Sequence, residues 1–460
     1  MCSTAESTPT SAGSSEDWNN IPWRPNDNLP VPPANPNGTI WHPEYLNIIE
    51  KTIDAASNSL KKLSLDIHAK PELGFEEYET HNLLANFMSS QPGWTVTRNY
   101  KLPTAWLATF EHNADSNTRI IGINSEMDAL PTIGHACGHN LIAISGVAVA
   151  LGIKAVLEHF DLPGKISLLG TPAEEGGGGK VKLLQAGAYD GFAACLMSHP
   201  APGPKNTVSL TSSLALKYVE AEYTGKTAHA ALSPWEGTNA LDAAVLAYTS
   251  IAAMRQQMHP TWRAHGIFEG KNWAVNGMRY ISSIPYYSLT QSRLIIRALT
   301  RAEVEVASKK ILPSLEAAAL ATGCQVKITD GGAALDIRQN LALGDDVANT
   351  FTVRYGRIER ELWGIKSAST DFVEVFAYRQ SDLPALHPGY AIPTVTDGGN
   401  HTPMFAASAA TEDAHMATLD LAKALALTGV RVIRDDEFYT RVKETFELDK
   451  LARTKGVFGV

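Results

Sequence analysis

Residues 131–140, PTIGHACGHN, place a cysteine between two histidines, with a glycine ahead of each histidine. Cys137 and His139 stand two apart across Gly138, so a tight turn can aim a thiol and an imidazole at one point. Further along, Glu174 and Glu175 form a carboxylate pair ahead of four glycines, and His199 precedes Pro200. Imidazole, carboxylate and thiolate together are the ligand mixture of first-row metal ions. In a glycine-rich turn one carboxylate of a pair can bind an ion while the other meets water. Water on such an ion loses a proton near neutral pH, and a neighbouring carboxylate is suited to take it. Each residue also has a plainer reading: Cys137 as a small buried side chain, His199 as a loop residue, the acidic pair as a flexible surface turn. Cys137 as a nucleophile with His139 as its base is a third reading. Separation by one residue is poor geometry for such a dyad, which normally joins residues distant in sequence.

These groups follow three short apolar runs that read as buried strands: RIIGIN at 119–124, KISLLG at 165–170 and ACLM at 194–197. Glu126 and Asp128 come after the first, with Cys137 and His139 soon behind them. Glu174 and Glu175 come after the second, and His199 after the third. Helical patterns lie between, at 141–160 and 180–187, and apolar residues recur at three- and four-residue steps from about 42 to 90. Strands alternating with helices imply an α/β fold with a mainly parallel sheet flanked by helices. Ligands of such sheets bind beyond the carboxyl ends of the strands. Three strands delivering metal-type groups to one edge outweigh the plain reading of each residue taken singly.

Residues 214–332 are patterned differently. LKYVEAEYTG alternates, GTNALDAAVLAYTSIAAMRQQ is helical, SRLIIRAL is a strand, RAEVEVASKKILPSLEAAALATG is helical and CQVKITDG is a last strand. Strands around each helix give the split β-α-β pattern of a ferredoxin-like domain. Sheet-type patterning resumes in SASTDFVEVF and a helix in MATLDLAKALALTG, so the α+β segment reads as an insertion. The expected organisation is a disordered or draped tail over 1–40, a main domain from 41–213 and 333–460, and the inserted domain over 214–332.

A chain of 460 residues exceeds what one core usually supports. Its 44% apolar and 19% charged content is ordinary for a globular protein. A net charge of −9 without a dense Lys/Arg block argues against nucleic acid or an anionic membrane as partner. No apolar run is read as approaching the ~18–20 residues of a membrane span. The start, MCSTAESTPTSAGSSEDWNN, lacks the basic and apolar regions of a secretory signal. Cys2, Cys137, Cys195 and Cys324 are scattered and suggest no disulfide framework, so a cytoplasmic location is expected.

The runs EMDALPTIGHACGHNLIA, TPAEEGGGGK and YTGKTAHAALSPWEGTNALDA, in that order, resemble the aminoacylase/carboxypeptidase G family of dinuclear metallopeptidases. The likeness is greatest to its amidohydrolase branch of indole-acetyl-amino-acid hydrolases, aminobenzoyl-glutamate hydrolases and related dipeptidases, and it runs from about residue 60 to 430. The resemblance implies a catalytic main domain holding two divalent metal ions, zinc first, with manganese or cobalt as substitutes. Position by position it makes Cys137, His139, Glu175, His199 and His401 (in GGNHTPMF) metal ligands. It makes Glu174 the general base, and Asp128 the residue that orients a metal ligand. The inserted domain becomes a lid that joins homodimers, whose His229 stabilises a tetrahedral oxyanion in the partner's site. Arg297 becomes the holder of the substrate carboxylate.

Departures from the family bear on substrate. Ser282 stands where the family places an asparagine that holds substrate or oxyanion, and the segment after Asp371 continues Phe-Val-Glu instead of Met-Gly-Asn. No role is assigned to Asp371, His135, His387 or His415. The function implied is metal-dependent hydrolysis of the amide bond of an N-acyl amino acid, dipeptide or similar small molecule bearing a carboxylate. The alternative is an amide-forming, condensing enzyme on the same fold.

Overall fold

The computed structural model describes residues 21–24, 27, 28, 33–229, 231–270, 289–334, 336, 339–359, 370–372 and 383–455. Ser282 lies outside them, as does most of SASTDFVEVF. The chain divides into two compact units. The first comprises residues 1–211, 339–364 and 383–443; the second comprises 212–338, 365–382 and 444–460.

Unit 1 opens with helices α1 (Pro43–His68) and α2 (Tyr78–Ser90), then strands β1 (Thr95–Arg98), β2 (Trp106–His112) and β3 (Ile120–Glu126). Helix α3 (His139–His159) leads to β4 (Gly164–Thr171), α4 (Gly179–Gln185), β5 (Phe192–Leu196), β6 (His199–Pro202) and β7 (Thr207–Ser209). The unit is completed by α7 (Leu341–Arg354), β12 (Arg357–Glu359), β13 (Ala385–Leu386), β14 (Gly389–Ile392), α8 (Pro403–Ser408) and α9 (Glu412–Arg434). Helix α10 (Asp436–Lys455) follows.

The main sheet has the order β1-β2-β4-β3-β5-β13, parallel from β4 through β13, with β1 and β2 antiparallel at one edge. Beside it lies a small four-stranded sheet, β12-β7-β14-β6. Its strands of three or four residues are too short to show a periodicity in sequence, and no expectation covered them.

Helix α3 carries the core. Ile144, Val147, Val149 and Ile153 are buried with Ile49 and Ile53 of α1 and Leu421, Leu425 and Val430 of α9. At Gly146 a Cβ would stand 2.3 Å from Ser125 Oγ and 2.8 Å from Asn124 O, so only glycine lets α3 close on β3. By length and composition α3 is apolar enough to cross a membrane. This corrects the sequence reading that no run approaches that limit. The helix is apolar on every side because it is enclosed between sheet and helices, with 89% of its most apolar stretch buried.

The described part of the N-terminal segment lies against unit 1. Trp23 is buried and donates its Nε1–H to Asp413, and the amides of Ala34 and Asn35 donate to the carbonyls of Gly356 and Thr352. Thr411 caps α9 by accepting from the Ala414 amide, and Glu412 and Asp413 complement the positive end of the helix dipole.

His415, one turn into α9, is buried against Ser57 of α1, with its Nε2 3.0 Å from the hydroxyl. Burial, aided by the nearby Lys61 charge, pulls its pKa down to about 4. The unfolded chain therefore takes up a proton near pH 6.5 that the folded chain refuses, and stability falls as pH drops from there towards 4. We expect about 1–2 kcal/mol of this loss between pH 7 and 5. Urea unfolding of wild type and His415→Gln at both pH values measures it; equal pH slopes in the two proteins would refute the assignment.

Unit 2 contains β8 (Ala215–Thr224), α5 (Ala240–Met254), β9 (Arg263–Gly270), β10 (Leu289–Ala298), α6 (Arg301–Thr322) and β11 (Gln325–Ala334). Its antiparallel sheet has the order β11-β8-β10-β9, the ferredoxin-like arrangement. Helices α5 and α6 cover it through Ala243, Ala244, Ala247, Ile311 and Leu315, which pack on Val219, Tyr223, Leu294 and Ile296. Strand β9 was not read from the sequence. It is the edge strand, most of its side chains are exposed, and Gly266 interrupts it, so it lacks the alternation that marks its neighbours.

Candidate metal centre

Three strand ends and two loops of unit 1 bring the candidate ligands together. Strand β3 ends at Glu126, and Asp128 follows at full burial. The chain returns through Cys137 and Gly138 into α3, whose first residue is His139. Gly138 has φ +81°, and a Cβ there would stand 2.5 Å from Pro200 Cγ. The turn that aims Cys137 and His139 together is therefore open only to glycine. The turn after β4 carries Glu174 and Glu175, and the Glu175 amide donates to Asp128 Oδ2 at 2.9 Å, tying the two strand ends together. His199 begins β6, and His401 precedes α8 with its amide donating to the Ala136 carbonyl.

The donor atoms of Cys137, His139 and His199 lie within 4.8 Å of one another, as do those of Cys137, Glu175 and His401, and those of His139, Glu174 and Glu175. Cys137 is common to the first two groups, so its sulfur stands between two sets of donors. Its Sγ is 3.4 Å from His199 Nε2. Each of the two buried histidines of the cluster has its Nδ1 engaged. His139 Nδ1 lies 2.7 Å from the Asp128 carbonyl and 3.2 Å from Asp128 Oδ1, and His199 Nδ1 lies 2.8 Å from the Pro200 carbonyl. Both Nε2 atoms are thereby turned to the cluster, the arrangement that fixes a metal-binding tautomer.

Nε2 of His139 and Oε1 of Glu175 are buried without a hydrogen bond, the latter having the His401 ring at 3.3 Å. Buried polar atoms of native proteins normally have partners. Unsatisfied lone pairs of N, O and S type converging on one point fit divalent cations.

The electrostatics agree. Burial opposes charge on His139, yet Glu126 and Asp128 hold its pKa well above the usual value. Burial likewise works against the Asp128 carboxylate, but its hydrogen bond to His139 and the amides of Glu175 and Glu174 bring the pKa down to about 2. The Cys137 thiol is pushed up, first by burial and then by Glu175 and Glu174, against the opposing His139. That is the reverse of what a nucleophilic thiol needs, whereas a cation would deprotonate it outright. The thiol-hydrolase reading is therefore disfavoured.

His229 and Arg297 belong to unit 2. The exposed His229 accepts the Ala231 and Leu232 amides on Nδ1, which leaves its proton on Nε2. Arg297 of β10 donates from Nε to His265 Nε2 at 3.3 Å. Asp371 also lies in unit 2. His135 and His387 are both buried, and burial lowers the pKa of each. The His387 ring is 5.7 Å from that of His199. Sequence reasoning missed Lys180, which is fully buried in the first turn of α4 and pairs with Glu126 at 2.7 Å. The sequence set it apart only as the lysine directly after the glycine run, with Lys182 two residues further on.

Residues 122–458 match the profile of peptidase family M20/M25/M40. The chain belongs to that family. M20 relatives include the Xaa-Arg dipeptidase of Mus musculus, 38% identical over 409 residues, covering 86% of this chain and 90% of the relative. A p-aminobenzoyl-glutamate hydrolase chain of Escherichia coli strain K12 is 30% identical over 304 residues, covering 62% of this chain and 60% of the relative. Among solved M20 structures, a dinuclear metal-binding peptidase from Bacillus subtilis superposes with a TM-score of 0.62 at 18% identity, over 83% of this chain and 99% of that one. Like its M20 relatives, the protein is a metal-dependent hydrolase of amide or peptide bonds. Nothing in these likenesses favours the amide-forming alternative.

Proposed function

We propose that this hydrolase is a dinuclear metal dipeptidase whose substrates carry a basic C-terminal residue. The observation that carries the substrate class is the 38% identity, over nearly the whole chain, with an Xaa-Arg dipeptidase. In this reading Cys137, His139, Glu175, His199 and His401 hold two divalent ions. Zinc is the first choice for mixed N, O and S donors, with manganese or cobalt able to replace it. When bound, such ions polarise the amide carbonyl and acidify water. Glu174 takes the proton of the attacking water and delivers it to the leaving amine. Asp128 keeps His139 in its ligand tautomer. His229 of one copy donates from Nε2 to the oxyanion developing in its partner's site, and Arg297 binds the substrate carboxylate.

A panel of dipeptides assayed with zinc-reconstituted protein tests the substrate class. We expect kcat/KM for Xaa-Arg and Xaa-Lys to exceed that for Xaa-Glu, N-acetyl amino acids and p-aminobenzoyl-glutamate by about tenfold or more. Faster cleavage of p-aminobenzoyl-glutamate or of acyl amino acids would replace this substrate class.

A second copy of the chain is the proposed partner. Edge strand β9 exposes Ile267 and Phe268, and Tyr248 of α5 packs its ring on Phe268. Edge strands with exposed apolar side chains are ready to pair with another chain. Sedimentation velocity showing only monomer at micromolar concentration would sink this.

A further inference from the structure

Glu126 ends β3 and is fully buried. Its Oε1 meets Lys180 Nζ at 2.7 Å, and Lys180 is itself fully buried. Its Oε2 lies 3.3 Å from His139 Nε2 and receives no hydrogen bond from any described group. A carboxylate oxygen of Glu126 also lies within 4.8 Å of one from Glu174.

A buried ion pair that serves packing alone is favourable only when further hydrogen bonds satisfy the remaining lone pairs. Here neither oxygen accepts a hydrogen bond from a described group: one has the Lys180 ammonium beside it at ion-pair distance, and the other faces the same ring nitrogen that His139 presents to the cluster. The 3.3 Å separation is also about the edge shared by two donors on one tetrahedral ion with bond lengths of about 2.0–2.1 Å.

We propose that Glu126 is a further donor of the metal centre, directed at the ion on His139 Nε2, and that Lys180 is the positioning residue that turns its second oxygen there. The proposal rests on the metal-centre reading above. It explains why a lysine is buried beside a cation site: the lysine occupies one oxygen and leaves the other for the ion.

Cobalt(II) is titrated into metal-free full-length protein, and affinity is read by competition with a chelating indicator and coordination by visible absorption. Glu126→Gln strands the Lys180 charge and endangers folding, so the deciding variant is Glu126→Gln/Lys180→Met, which removes both charges. We expect it to fold with the thermal midpoint of metal-free wild type, to bind one of two cobalt ions about 10–100-fold more weakly and to change the absorption band. Lys180→Met alone shifts the same band. If wild type binds two ions and the double variant binds both as tightly with an unchanged spectrum, the pair is structural and the proposal falls alone. A wild type that binds no cobalt overturns the metal-centre reading and the proposal together.

Discussion

Glu174→Gln is expected to lower kcat by about 10²–10⁴-fold while two metal ions stay bound. The substitution keeps shape and removes only the ability to take a proton. Glu174 and Glu175 are neighbours in one turn, but the structure places them differently. Both carboxylates lie 3.9 Å from His139 Nε2, but only Glu175 has a buried oxygen grouped with Cys137 and His401. Glu175→Gln is accordingly expected to lose metal as well as activity. Metal analysis alongside single-turnover kinetics separates the two. Metal loss in Glu174→Gln, or near-normal kcat, would reverse the assignment of base and ligand.

Removal of metal by a strong chelator is expected to abolish hydrolysis, with recovery on adding zinc. Stability should fall with it. A ligand present at 100 times its Kd stabilises the folded state by about 2.7 kcal/mol, and withdrawal returns that amount. It also leaves Glu126, Asp128 and Glu175 crowded together with only the His139 imidazolium and Lys180 as counter-charges. In the metal-free state His139 keeps its proton, because Glu126 and Asp128 outweigh burial, and Cys137 stays a thiol because burial raises it. Metal uptake must displace both protons. Affinity should therefore rise with pH, and calorimetry in buffers of different ionisation enthalpy should register proton release. Full activity in chelator, or pH-independent affinity between pH 6 and 8, would refute this account.

Much of the site was legible because each chemical group follows a strand. RIIGIN, KISLLG and ACLM correspond to β3, β4 and β5, and in a parallel sheet the residues after such strands gather at one edge. Other features were hidden for identifiable reasons. Strand β9 lies at an edge and buries little, so no alternation betrayed it. Helix α3 has the apolar content of a membrane span, and only its enclosure by α1, α9 and the sheet shows what that content is for. Lys180 looked like the ordinary first residue of an amphipathic helix, since nothing local announces that a lysine is fully buried.

The residue types and their order along the chain determined the fold class and the kind of site, an α/β chain with imidazole, thiol and carboxylate groups at strand ends, and the family resemblance implied amide hydrolysis. Those features are local, set by apolar runs, glycine turns and the residues beside them. The tertiary structure decided which groups share a point. It carried His401 from beyond the inserted unit to Glu175, set Cys137 between two groups of donors, and turned Glu126 inward against Lys180. Such placements depend on long-range packing and on the balance of buried charges, which no local stretch of sequence contains.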